Sequence, residues 1–406
     1  MGLAEPKLNA EWSRNEQGST GLVAGRAMSS TRASGIIANG EDFVWSDFLL
    51  GDPQPEEVLI RTVSSGLCHT DLSYAARLEG PAVLGHEGAG VVERVGAEVT
   101  RIRPGDRVVV SFASCETCAP CTTGHPSYCE RFEELNFFGR RADGSTTSTS
   151  TDGLPLLASF FGQSSFGTYM LAHARQVVRV PDSVPDEAFR IMGPLGCAVQ
   201  TGVGAVLNAL RPPAGSRIAI AGAGGVGLSV LLGAMLVDLE SVAVVDLDDD
   251  RLALASELGA TETFRGDDVD LVDKLRSGSR SGIDFVIDTT GVMALIRTLS
   301  AATHTRGVIG LIGGSRPGTE LVLDHNAMLL GRTVRGIIEG DAVPQEFVPE
   351  LIDYHMAGRL PFERLVKRYD AKNFMQAIAD TRSGSAIKPV FDFSEVQPVA
   401  GNEEDQ

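Results

Sequence analysis

The stretch SRIAIAGAGGVGLSVLLGAML, residues 216–236, decides the fold. Its apolar opening has the character of a buried strand, the glycines break that strand, and the apolar run after them resumes as a helix. Gly222, Gly224 and Gly227 stand in G-x-G-x-x-G register around Gly225 and Val226. The next apolar strand, SVAVVD, ends at Asp246, close to the ~20-residue spacing at which an acidic side chain meets a cofactor ribose. In this pattern Gly222 permits the tight turn, Gly224 lets the backbone approach a pyrophosphate, and Gly227 lets helix and strand pack closely. The helix N-terminus supplies N–H donors and a favourable dipole for the anion. A carboxylate at Asp246 accepts from ribose hydroxyls and repels a 2′-phosphate, so the spacing predicts NAD rather than NADP. Asp248, Asp249 and Asp250 read as a solvated turn.

Working outward, IDFVID (283–288), GVIGLIGG (307–314) and TVRGIIEG (333–340) are further strand candidates, mostly apolar as strands buried on both faces should be. Helical stretches such as DRLALASELGA (250–260) alternate with them, which predicts a doubly wound parallel α/β sheet over residues 201–341. The flanking pieces, 36–200 and 342–406, have a different texture. EVLIRTVS (57–64), GAGVVERVG (88–96) and DRVVVSF (106–112) read as short strands among glycines and prolines, and GSTTSTSTDG (144–153) as a polar loop. Residues 1–35 read as a flexible leader, with Met28 an alternative start.

The 406 residues carry a formal net charge of −18 and 43% hydrophobic side chains. Such a chain can bury two cores, and its acidity argues against nucleic acid as a partner, because a duplex binder neutralises phosphates with Lys and Arg. No apolar run is long enough for a membrane span, and no signal-peptide core is present, so a cytoplasmic location is expected.

Without a secretory signal, clustered cysteines point to metal or catalysis rather than disulfides. Cys115, Cys118, Cys121 and Cys129 form C-x2-C-x2-C-x7-C. Four thiolates at that spacing can close a tetrahedral shell around a structural Zn²⁺ in a lobe spanning 113–130; an iron–sulfur cluster is the alternative. The remaining Cys68 and Cys197, with His86, could give a Cys2His site with a fourth position open.

With GLCHTDL (66–72), GHEGAGVV (85–92), the four-cysteine lobe, GCAVQTG (196–202) and GAGGVG (222–227) in this order, the chain resembles the zinc-dependent medium-chain alcohol dehydrogenases over roughly residues 35–393. GIIEGDAVPQEFVPELI (336–352) and GSAIKPVFDF (384–393) make it most similar to the bacterial aryl-alcohol, or benzyl alcohol, branch. The resemblance implies a Rossmann domain beside a GroES-like, mostly β catalytic domain, with NAD and two zinc ions per chain. It implies Cys68, His86 and Cys197 as catalytic zinc ligands and Glu87 as an acidic residue beside the metal. It makes Asp71 the carboxylate that orients His86 and Thr70 the hydroxyl that takes the substrate proton. His69 would meet the pyrophosphate, Arg251 and Lys388 the adenosine ribose and phosphates, and Thr201 the nicotinamide. Where the prototype relay ends in a histidine this chain has Ser73, so water would carry the proton outward. Phe160 and Phe161 would line the substrate channel. The remaining histidines, His125 among them, read as structural.

The implied reaction is reversible oxidation of primary aromatic or allylic alcohols by hydride transfer from a zinc alkoxide. A thiol-adduct formaldehyde dehydrogenase of glutathione or mycothiol type and a reductase of C=N or C=C bonds are the alternatives. The family implies a homodimer or homotetramer, with TVRGIIEG as a strand that could pair across a two-fold axis.

Overall fold

Three sheets carry the chain in a computed structural model whose described residues are 30–78, 80–277 and 282–396. Arg217–Ala221 is the first strand of a six-stranded parallel sheet and is buried along its whole length. Across that sheet the order is Glu262–Arg265, Ser241–Asp246, Arg217–Ala221, Ile283–Asp288, Thr303–Leu311 and Thr333–Gly336. The strand order therefore reverses beside Arg217–Ala221, where a doubly wound sheet opens a crevice for ligand. The helix Gly225–Ala234 leaves that crevice and is buried along almost its entire length.

The other two sheets are antiparallel for the most part. One has seven strands, centred on Glu57–Gly66, and includes the chain's last strand, Lys388–Asp392. That return of the C-terminus beside Ser64–Gly66 brings Lys388 to the site from a distance the sequence gives no measure of. The remaining sheet has five strands and begins with the hairpin Thr31–Asn39 and Asp42–Leu50.

Three expectations are corrected. Residues 31–35, expected to belong to a leader, are part of a strand, because Thr31 already pairs with Leu50; residues 1–29 lie outside the described residues, as do 397–406. The hairpin follows from Asn39-Gly40, a turn-forming pair between two apolar runs, with Gly40 at φ +64°. Ser148–Ser150, inside the expected polar loop, pairs with Phe48–Leu50 and the edge strand Pro155–Leu156, since Ser and Thr tolerate a half-buried strand. TVRGIIEG is not one strand: pairing stops at Gly336, and Glu339, Gly340 and Asp341 turn through left-handed backbone at φ +49°, +66° and +53°.

Candidate active site

Cys68 ends a loop and caps the helix His69–Ala75. The Asp71 carboxylate one turn in accepts from the Cys68 amide (2.9 Å), from the Gly85 amide (3.1 Å), and lies 2.8 Å from His86 Nδ1. One buried carboxylate therefore locks the helix start to the loop carrying His86. Gln163 holds the same loop from the other side, donating to the His86 carbonyl (3.1 Å) and accepting from the Gly88 amide (3.1 Å). Phe161, at φ +49°, lays its ring along the His86 imidazole with centroids 4.4 Å apart, and Phe160 meets it edge-on at 5.6 Å. These two rings wall the histidine; Tyr74 and Phe137 extend the aromatic surface.

The third ligand candidate, Cys197, precedes the helix Ala198–Gly204. Ligand atoms of Cys68, His86, Glu87 and Cys197 all lie within 4.8 Å of one another. His86 Nε2 is buried and has no hydrogen-bond partner, the condition expected of a nitrogen shaped for a cation. Its Nδ1 faces Asp71, which sets the tautomer a metal-ligating histidine needs. Burial alone would hold His86 low, but the adjacent Asp71 carboxylate raises it well above the usual imidazole range. A hydrogen bond from Cys197 holds Cys68 well below the ordinary thiol range, and Cys197 correspondingly lies well above it. Two sulfurs gathered with an unpartnered imidazole nitrogen fit a divalent cation, whose binding would displace thiol protons.

Glu87 belongs to this group by distance but is tied elsewhere. Lys388 Nζ lies 2.9 and 3.1 Å from its two oxygens and 3.3 Å from the Leu67 carbonyl. Burial raises the Glu87 carboxyl and Lys388 lowers it in part, while burial pulls the Lys388 amine down but Glu87 and the Cys68 and Cys197 sulfurs together hold it above its usual value. The pair leaves Cys68, His86 and Cys197 as three groups that fit around one cation with a fourth position open.

A cleft of ≈ 290 Å³ runs from the glycine loop to Cys68. The glycine loop, Asp246 and Arg251 line it together with His69, Cys68 and Lys388, and Lys388 packs against Gly225. Gly222 sits at φ +94°, and a Cβ on Gly227 would fall 1.8 Å from the Gly222 carbonyl oxygen, so both positions require glycine. A Cβ on Gly224 would meet nothing within 4 Å, consistent with a backbone left open to a ligand. Asp246 accepts from the amides of Ala223 (2.6 Å), Leu247 (2.7 Å) and Asp248 (3.0 Å), which fixes its carboxylate at the strand end. Asp248 is more than a solvated turn: it caps the following helix through the amides of Asp250 and Arg251.

Thr70 Oγ1 lies 3.7 Å from Cys68 Sγ, and Ser73 is exposed one turn further along the same helix. The Thr201 hydroxyl donates to Glu339 Oε2 (3.4 Å). Glu339 is a buried carboxyl that sequence reading did not single out. It also accepts from Gln200 (3.1 Å) and stands 3.9 Å from Cys197 Sγ, and burial pushes it up to about 7. Gln163, Gln200 and Glu339 are polar residues in apolar company, and only that contrast could have flagged them. Thr289, at the end of the strand facing the glycine loop, donates to the Ala221 carbonyl (2.7 Å) and is likewise a site residue found only here.

The second cysteine cluster lies apart. Cys118 Sγ is 3.4 Å from Cys121 Sγ and 3.9 Å from Cys129 Sγ, and Cys115 to Cys121 is 4.0 Å. Sulfurs about 3.8 Å apart are what a tetrahedral shell with metal–sulfur bonds of about 2.3 Å requires. Backbone amides of Cys115, Cys118, Glu130 and Arg131 point at these sulfurs. Burial opposes ionisation of Cys115, yet the Thr117 and Cys118 hydrogen bonds bring it down to about 6; burial and its neighbouring thiols push Cys121 up to about 12. Both clusters thus fit zinc, one closed and one with a free position.

The comparisons agree with this geometry. Residues 54–182 match the family model "Alcohol dehydrogenase GroES-like domain" and residues 225–354 match "Zinc-binding dehydrogenase". The chain belongs to the zinc-dependent medium-chain alcohol dehydrogenases, with a GroES-like domain and a Rossmann domain. It is 44% identical to geraniol dehydrogenase of Castellaniella defragrans over 84% of this chain and 92% of the relative. Among solved structures it superimposes on an alcohol dehydrogenase zinc-binding domain protein from Burkholderia ambifaria with a TM-score of 0.87 at 42% identity, covering 90% of this chain and 99% of the other. It also superimposes on benzyl alcohol dehydrogenase from Acinetobacter calcoaceticus with a TM-score of 0.84 at 36% identity, covering 89% and 99% of the two chains. Among the described residues no helix is long and apolar enough to cross a membrane.

One prediction arises directly from the Asp71 geometry. Asp71→Asn should keep the fold but lower kcat/KM and zinc affinity by about 10–100-fold, the usual effect of losing the carboxylate behind a metal-bound histidine. Steady-state rates and chelator titration test it; values within twofold of wild type would remove Asp71 from its orienting role.

Proposed function

We propose that this protein oxidises primary aromatic and allylic alcohols to aldehydes, reversibly, with NAD⁺. The observation that carries the proposal is the cleft lined by the glycine loop, Asp246 and Cys68, a half-buried residue grouped with the buried His86 and Cys197. A dinucleotide laid along that cleft would bring its reactive ring to the open ligand position. The names of the relatives, one acting on geraniol and one on benzyl alcohol, support the allylic and aromatic class, as does the aromatic wall of Phe160, Phe161, Tyr74 and Phe137.

Cys68, His86 and Cys197 would hold a zinc ion, which would supply Lewis acidity toward a bound alcohol, and the cleft would hold NAD⁺, which would supply a hydride acceptor. The chain does the rest. Thr70, beside Cys68, holds the substrate oxygen and takes its proton. Ser73, three residues on along the same helix face and exposed, leaves that proton a short path to water. Asp71 keeps His86 Nε2 turned to the cation. The first amides of Gly225–Ala234 bind the pyrophosphate and His69 adds a donor from the opposite wall. Lys388 sits between Glu87 and Gly225, its Cε 3.2 Å from where a Gly225 Cβ would lie, and neutralises Glu87 while facing the phosphates. Asp246 accepts from the adenosine ribose, and its charge disfavours a 2′-phosphate.

The test is NADH formation from benzyl alcohol and from geraniol, with NADP⁺ as the control cofactor and formaldehyde plus glutathione as the control substrate. Turnover of both alcohols with NAD⁺ and little with NADP⁺ is expected. Turnover confined to the thiol adduct would overturn the assignment.

A further inference from the structure

The segment Glu339-Gly340-Asp341 joins the two cysteine clusters, and the mechanism above makes no use of it. All three residues have left-handed backbone, and two of them are not glycine. Such backbone persists only where the surroundings over-determine it. Here both side chains and the intervening glycine are held, Glu339 and Gly340 against the helix Ala198–Gly204 and Asp341 against the four-cysteine lobe.

Glu339 points inward. Its carboxylate accepts from Gln200 Nε2 (3.1 Å) and Thr201 Oγ1 (3.4 Å) and lies 3.9 Å from Cys197 Sγ. Gly340 presses on the same helix: a Cβ there would fall 2.4 Å from the Gln200 carbonyl oxygen and 2.9 Å from Gly204 Cα. Its carbonyl accepts from Asn208 Nδ2 (3.3 Å). Asp341 points the other way, to His125 Nδ1 (3.0 Å) and Arg335 (2.6 Å). The contact with the four-cysteine lobe is repeated twice more, by Ser127 Oγ to the Ala342 carbonyl (3.2 Å) and Tyr128 Oη to the Gly336 carbonyl (3.3 Å). His125, Ser127 and Tyr128 lie just before Cys129, so a metal at the lobe fixes the residues that grip the strap.

We infer that Glu339 is a positioning residue for Cys197 and Thr201, and that the Asp341–His125 contact lets the four-cysteine lobe set its position. Short chain segments and contacts alternate between the clusters: four residues along the lobe from Cys129 to His125, the His125–Asp341 contact, two residues along the strap to Glu339, and the approach of Glu339 to Cys197. Contiguity alone does not establish coupling, and metal-release rates in strap variants measure it directly. The inference rests on the reading of Cys68, His86 and Cys197 as zinc ligands.

The experiment measures zinc per chain and the rate at which dipicolinate removes the more labile ion, in wild type, Glu339→Ala, Glu339→Gln, Asp341→Ala and His125→Ala. Glu339→Ala should speed that release about tenfold or more, in the range for residues that orient metal ligands, while the four-cysteine ion stays bound. Asp341→Ala and His125→Ala should act in the same direction by about threefold to tenfold although neither touches a ligand of the labile site. Glu339→Gln, which keeps an oxygen acceptor toward Gln200 and Thr201, should restore slow release. With cobalt in the labile site, the visible bands should shift in Glu339→Ala and return in Glu339→Gln. A role in folding alone would lower thermal stability without selecting one ion. His125 is exposed, so His125→Ala remains informative if a strap variant fails to fold. Release within twofold of wild type in both His125→Ala and Glu339→Ala overturns the inference and leaves the active-site reading intact. A wild-type chain carrying only the four-cysteine ion overturns both.

Discussion

Cys197→Ala is expected to abolish alcohol oxidation while the chain keeps its fold and one of two zinc ions. In the reading proposed above Cys197 is one of three zinc ligands, and its removal would take a sulfur and a negative charge from the cation. The remaining Cys68 and His86 cannot hold zinc firmly, since a catalytic site needs three protein ligands. What is lost is the acidification of the bound alcohol, worth several kcal/mol of transition-state stabilisation. About 4 kcal/mol corresponds to about a thousandfold in rate, so a fall of at least that size is expected. Cys197 sits where a loop meets a buried helix, and alanine fits that space with a small cavity, so far-ultraviolet circular dichroism should be unchanged. Metal analysis should find one zinc per chain. Two zinc ions together with more than about a tenth of wild-type activity, where at least a thousandfold fall is expected, would show that Cys197 is not a ligand of the working metal.

Breaking the other cluster should act on stability. The four-cysteine lobe has almost no core of its own: Ala113, Cys115, Cys129 and Leu135 are its buried apolar residues. Its regular structure is a four-residue helix, Ala119–Thr122, and a short turn, Pro126–Tyr128. Segments of this kind stay ordered through the metal, whose binding energy is folding energy. Cys129→Ala removes a sulfur that accepts the Cys115 amide (3.3 Å) and the Arg131 amide (3.4 Å). Loss of a metal belongs to the few mechanisms that cost more than about 4 kcal/mol, and at about 2–4 °C per kcal/mol the unfolding midpoint should fall by about 10 °C. Limited proteolysis should then cut within residues 113–130. A variant with an unchanged midpoint and resistant lobe would mean that the cluster does not brace the fold.

Much of the site was legible because its signals are local. The glycine loop is written in six consecutive residues, since turn, helix start and phosphate approach all fall on one short stretch. The structural cluster is written in fifteen residues, Cys115 to Cys129, because one tetrahedral ion constrains one loop. Asp71 was expected only through the family resemblance, and the structure shows its carboxylate accepting from the Cys68 amide three residues before it. The contacts that were not legible are those between segments far apart in the chain. Lys388 was expected at the cofactor phosphates, and its grip on Glu87, 301 residues away, needed the last strand to return beside Ser64–Gly66. Glu339 read as part of a strand, because an apolar run carries no mark of where a sheet ends; the left-handed turn comes from packing against the helix Ala198–Gly204. Gln163 reaches the His86 loop only because the 160–164 turn folds under it.

By itself, then, the sequence determined the chemistry: which residues can hold zinc, which glycines can face a pyrophosphate, and that an acidic side chain ends the second strand. Those properties follow from side-chain type and from spacings of a few residues, which a chain carries into any fold it adopts. Only the tertiary structure decided which of these groups meet, which charge answers which, and that the two metal clusters share a strap. The physical reason is that such contacts cost the entropy of closing loops of tens to hundreds of residues. They exist only because the cooperative burial of the sheets and their covering helices has already brought the segments together.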